Sequence, residues 1–179
     1  MGTYLFNAGM GDKIGYFYAM QGIVSLFMPA LMGVVADRWI QAQKLLAICH
    51  LLGAVFMMGV GYMAMDATLS PSEKYPMLLL FYILSSMFYM PTLALSNSVA
   101  YTALESVNLD LVKDFPPIRV LGTIGFISAM LLTDVLGFQT NYMQFFLSVG
   151  LGVLAAGYAI TLPECPINDK GGSKSWQKV

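Results

Sequence analysis

The chain has 179 residues, of which 58% are hydrophobic and only 11% charged, against roughly 25% charged in soluble domains, so a water-soluble fold is excluded and a membrane protein expected. A formal net charge of −1, with the aromatics set in apolar runs that lack interleaved basic residues, excludes nucleic acid as a partner. Cys49 and Cys165 lie far apart in sequence with no histidine cluster, which excludes a disulfide framework and a zinc site and leaves both as free thiols.

Five apolar runs are long enough for the ~20 helical residues that cross a hydrocarbon core. They span Ile14 to Val35, Leu45 to Met65, Met77 to Ala100, Phe115 to Phe138 and Met143 to Leu162. The runs are continuously apolar, where the strands of a membrane barrel would alternate. The expected fold class is therefore all-α integral membrane, with five transmembrane helices. The N-terminus has no basic segment followed by an apolar stretch and a small-residue cleavage site, so no signal peptide is read there.

The first run carries Tyr18 and Gln21 on its way to Pro29, and ends at Gly33-Val34-Val35-Ala36-Asp37-Arg38. Tyr18 is a weak candidate for solute contact, and a site role for Gln21 is doubtful. Pro29 removes the backbone bond to Ser25, and Pro91 in the third run removes the one to Met87, so both helices are expected to bend. The second run holds His50, which titrates near neutral pH in water and reads either as a proton carrier or as a hydrogen-bond partner of a neighbouring helix. Asn97, between Ser96 and Ser98, either reaches a cavity or joins helices.

The fourth run opens at Asp114-Phe115-Pro116-Pro117-Ile118-Arg119, and the proline pair fits a helix start, where the first N–H groups have no intrahelical partner to lose. Arg119, Thr123 and Phe126 fall four and seven residues apart on one helical stripe. An arginine near the bilayer centre costs roughly 2.5 kcal/mol or more, so such residues usually face a bundle interior or a solute path. Arg119 reads either as a solute ligand or as a residue snorkelling to the headgroups. Asp134 lies 15 residues further on, about 22 Å along the helix, so the two cannot pair.

The last run carries Gly152 and Ala156, small residues that allow close helix approach. It stops at Pro163-Glu164-Cys165-Pro166, and 163–179 reads as a flexible linker. Placing the 36–44 loop in the cytoplasm puts Arg38, Lys44, Lys113, Arg119, Lys170, Lys174 and Lys178 on that side and only Lys13 and Lys74 on the other. That asymmetry predicts an outside N-terminus and a cytoplasmic C-terminus. The runs show no metal-ligand spacing, nucleophile motif or paired carboxylates, so neither an enzyme nor a cofactor is expected.

Gly33, Asp37 and Arg38 together resemble the loop motif of the major facilitator superfamily, which implies a gating role for them. Phe27-Met28-Pro29-Ala30-Leu31-Met32-Gly33, Ala47-Ile48-Cys49-His50, Tyr89-Met90-Pro91-Thr92-Leu93 and the stretch from Asp114 to Phe126 look like the bacterial nucleoside:proton symporters of that superfamily. The likeness extends from Gly2 to Pro166. It implies a twelve-helix transporter of two six-helix halves that alternate access around a midplane site. Residues 1–162 would supply helices two to six of the first half, lacking the family's first helix and its whole second half.

The resemblance further implies that Arg119, Thr123 and Phe126 bind the nucleoside. Arg119 would hydrogen-bond a base carbonyl or ribose hydroxyl, Thr123 would add a polar contact and Phe126 would stack on the base. The implied partners are a nucleoside, a proton, the lipid bilayer of the inner membrane and the missing C-terminal half. The coupling carboxylates would lie in that half, and the fragment alone would be inactive. A carrier of another polar solute such as a sugar, and a non-transporting membrane interaction protein, are the alternative readings.

Overall fold

The computed structural model describes residues 1–165. The linker expected over 163–179 therefore lies, beyond Cys165, outside the described residues. Six helices follow one another: α1 (Gly2–Asn7), α2 (Ile14–Arg38), α3 (Ala42–Met65), α4 (Pro71–Ser106), α5 (Leu111–Val135) and α6 (Met143–Ile160), with 3-10 turns at Gly11–Lys13 and Phe138–Thr140. The five long helices are each long and apolar enough to cross a membrane.

Polar capping carries two of these helices past the apolar runs. At α4 the Ser70 backbone N–H and hydroxyl both donate to Glu73 Oε2, at 2.9 and 2.6 Å. The helix starts there and not at Met77, and its 36 residues make it about 54 Å long, well beyond a hydrocarbon core. At α5 the Asp110 carboxylate accepts the Val112 N–H at 2.9 Å, and Asp114 accepts the Asp110 N–H at the same distance. This reciprocal cap starts the helix at Leu111. Pro116 and Pro117 consequently sit in its second turn, not its first.

α3 is the centre of the bundle, with α4 against one side and α6 against the other, while α2 packs on α4. Close approach rests on small residues. A Cβ built on Gly53 would stand 3.6 Å from the Ser85 carbonyl oxygen of α4, and one on Gly152 would stand 3.2 Å from Ala54 Cβ. The Ser85 hydroxyl donates to the Gly53 carbonyl at 2.9 Å and ties α4 to α3 where they touch.

Two apolar clusters close the bundle, one toward each end. The cluster at the end that carries Arg38, Lys44 and Lys113 is built from Leu45, Leu46, Cys49, Leu95, Val99 and Ala159. There Gln43 Oε1 accepts the Cys165 N–H at 3.0 Å, pinning the chain that leaves α6 to the start of α3. The cluster at the opposite end gathers Tyr4, Leu5, Phe17, Val60, Leu78 and Phe145, and the Tyr4 hydroxyl donates to the Ala64 carbonyl at 3.1 Å. α5 stands apart from both clusters. It touches chiefly α4 and the 3-10 turn that follows it, and only Phe115 is buried along its length.

Candidate functional site

Between the two clusters lies a cavity of about 500 Å³ walled by α2, α3, α4, α5 and α6. That is within the 300–1,000 Å³ typical of small-molecule sites. Cys49, His50 and Met57 of α3 and Tyr82, Ser86 and Tyr89 of α4 form its floor, and Leu147, Ser148 and Leu151 of α6 its back. Phe126, Met130 and Thr133 of α5 close the front, and Gln21 enters from α2. None of the lining residues is Asp, Glu, Lys or Arg. The cavity offers hydroxyls, amides and aromatic faces, which suits a polar solute without formal charge.

The polar groups are held in place from outside the cavity. Phe17 is 1% exposed and its ring lies 5.3 Å from that of Tyr82 and 6.1 Å from that of Tyr75. Gln21 follows Phe17 by one turn and so lies on the same face of α2. Its side-chain oxygen accepts the Tyr82 hydroxyl at 2.6 Å. Across the cavity, Gln144 Nε2 donates to the Gln139 and Asn141 carbonyls at 3.0 and 2.9 Å, which orients that side chain against the turn before α6.

The residues singled out in the sequence divide by position. Phe126 and His50 line the cavity; Arg119, Thr123, Tyr18 and Asn97 do not. Arg119 lies seven residues before Phe126, about 10 Å along α5, toward the end that carries Arg38 and Lys44. It is exposed, and Thr123 donates its hydroxyl to the Arg119 carbonyl at 3.4 Å. Among the described residues no hydrogen-bond partner reaches the His50 ring, and Asp37 and Arg38, exposed at the end of α2, form no ion pair. Gly33 has open space where a Cβ would project.

Asp134 accepts a hydrogen bond from Gln139 Nε2 at 2.9 Å in the last turn of α5 and does not line the cavity. Tyr82, Ser85, Ser86, Gln144 and Ser148 were not distinguished by sequence. They are scattered through apolar runs, Ser85 and Ser86 as an adjacent pair and the others separately, and only the packing of the helices brings them to one space.

Three comparisons with known proteins agree. The family model described as nucleoside H+ symporter matches residues 1–179. The nucleoside permease NupG of Escherichia coli (strain K12) is 38% identical over 178 residues, covering 98% of this chain and 40% of that protein. The xanthosine permease of the same organism is 37% identical over 177 residues with the same coverage. A crystal structure of a mutant of the nucleoside transporter NupG superposes with a TM-score of 0.85 at 36% identity, covering 98% of this chain and 42% of that one. The chain thus spans about 40% of the length of the curated relatives it matches.

Proposed function

The chain belongs to the nucleoside H+ symporter family, and we propose that it supplies the first-half helices of a carrier that moves nucleosides with protons across the bacterial inner membrane. The observation that carries this reading is the cavity: about 500 Å³, walled by five helices, lined by neutral polar groups and bounded by the Phe126 ring. A nucleoside is uncharged, rich in hydrogen-bonding groups and built on a flat ring. Each property has a counterpart in that lining.

Phe126 provides the aromatic face against which the base stacks. Arg119 and Thr123, on the same stripe of α5, meet the solute along its route toward the basic end of the bundle, and the planar guanidinium suits a carbonyl or a ribose hydroxyl. Gly33, Asp37 and Arg38, which lie in the last two turns of α2 and not in a loop as the sequence suggested, form the gate there. The excess of Lys and Arg at that end supports a cytoplasmic position for it and for the C-terminus. Proton coupling needs a group whose proton affinity changes with access state. No carboxylate lines the cavity among the described residues, and we assign coupling to groups beyond the present 179 residues, in the second half of the carrier.

The test is uptake of labelled uridine by transport-deficient cells expressing the intact reading frame that holds this chain, with and without a proton gradient. We expect gradient-dependent uptake, lowered about tenfold or more in Phe126→Ala and Arg119→Ala at equal membrane abundance, in line with the loss of a stacking or charged contact. Competition by ribose without competition by uridine would move the assignment to a sugar carrier.

A further inference from the structure

We propose that His50 binds the solute directly, hydrogen-bonding a nucleoside at the same depth in the bundle at which Phe126 receives its base. The proposal rests on the nucleoside reading above and adds to the site a residue of the central helix.

The depth follows from contacts that set the register of three helices. α3 and α4 run in opposite directions: a Cβ on Gly59 would meet Phe81, and one on Gly53 would meet the backbone of Ser85 and Tyr89. Three residues from Gly53 toward the basic end, His50 therefore comes level with Met90. α5 also runs against α4. The Tyr101 and Phe115 rings lie 4.4 Å apart, and Met90 and Phe126 each stand eleven residues from that contact, about 16 Å along their helices. His50, Met90 and Phe126 all line the cavity, so His50 and Phe126 reach it at one level, from α3 and from α5.

The imidazole is unengaged and open. It is half-buried, and no hydrogen-bond partner reaches it among the described residues. No sealed polar side-chain atom among those residues lacks a partner. The ring nitrogens are consequently accessible from the cavity and not closed within the packing. Several other polar groups of the lining are already committed: Tyr82 donates to Gln21, Ser85 to the Gly53 carbonyl, and Gln144 to the turn before α6. Beside His50 the wall is formed by Cys49 and Met90, with Tyr89 the other hydrogen-bonding side chain at that level.

A neutral imidazole offers one donor and one acceptor. A nucleoside presents hydroxyls, carbonyls and ring nitrogens, any of which satisfies one of the two. His50 thus adds affinity for nucleosides as a class and does not choose among bases. An apolar side chain in its place would leave a solute group that has shed its water without a partner.

The experiment has two arms, both on the intact carrier. In the first, the purified protein is treated with diethyl pyrocarbonate, which acylates an unprotonated imidazole nitrogen, and modification of His50 is followed by peptide mass spectrometry. Saturating uridine is expected to slow it several-fold. In the second, uptake of labelled uridine and of labelled adenosine is compared in cells expressing wild type, His50→Leu and His50→Gln. His50→Leu should raise KM for both nucleosides by roughly five- to tenfold, as loss of one hydrogen bond does, while His50→Gln, whose amide keeps a donor and an acceptor, should stay within about twofold of wild type. Should His50→Leu fail to reach the membrane, the labelling of wild-type protein decides. A His50 that the reagent cannot reach, or that uridine does not protect in a carrier that takes up uridine, overturns the contact and leaves the nucleoside carrier standing. So does an unchanged KM in His50→Leu, or an equal rise in both variants. Absence of nucleoside uptake by wild-type protein present in the membrane overturns the carrier reading and the contact together.

Discussion

α3 and α5 are nearly interchangeable as apolar sequences and opposite as packed objects. Their most hydrophobic windows have mean hydropathies of 2.0 and 1.6, yet 44% of the residues in the first are buried within the protein and none in the second. The difference lies in what their small residues meet. A Cβ on Gly59 of α3 would fall 2.8 Å from the Phe81 ring, and one on Gly61 would fall 3.1 Å from that of Phe146. The same atom on Gly122 or Gly125 of α5 meets nothing within 4 Å. Hydropathy decides that a segment leaves water; matched small residues decide that it packs against protein.

The comparison is open to attack by mutation, beginning with the anchor of the packed region. Phe17→Ala empties a site that is 1% exposed and should cost about 3 kcal/mol or more, read as a lower unfolding midpoint in detergent. A smaller effect is expected from Gly59→Leu, which must displace Phe81, at about 1–3 kcal/mol. Gly122→Leu on α5 should change stability by less than about 0.5 kcal/mol in the same assay, and equal losses from both leucines would erase the distinction between the helices. The smallest effect belongs to the loop that joins α3 to α4. There the hydroxyl and backbone N–H of Thr68 both donate to Asp66 Oδ1, at 2.6 and 2.8 Å, and hold that exposed carboxyl below its usual range. The contribution of Asp66 is therefore present above the ordinary carboxylate pKa and is lost as pH falls through the lowered value. Asp66→Asn should lower the neutral plateau slightly and, with no carboxylate left to protonate, flatten the acid limb of the pH–stability curve.

Much of this fold was readable from hydropathy because each span is an unbroken apolar run bounded by polar residues. The ends of the helices were less readable. Ser70 with Glu73 and Asp110 with Asp114 are local signals, but they lie outside the apolar runs, and the prolines at 116 and 117 draw the eye to a later start for α5. The helix at Gly2–Asn7 has no amphipathic length of its own and is held by Tyr4 and Leu5 in a cluster assembled from distant helices. Around the cavity, Phe126 and His50 stand out as an aromatic in a polar stripe and a lone titratable ring. Gln21 and Tyr82 do not, because their meaning is a contact between residues 61 positions apart. No spacing rule within one helix reports such a pair.

The hydrogen bond from the Cys165 N–H to the buried Gln43 bears on how force would pass through the molecule. The polypeptide leaves α6 moored to the first turn of α3, so a pull on the chain beyond residue 165 meets a fastened point and not a fraying helix end. Tension arriving there is divided between α3 and α6, which already share the Gly152–Ala54 contact. α3 and α6, packed along one another, share that load, and α5, which packs on neither, does not.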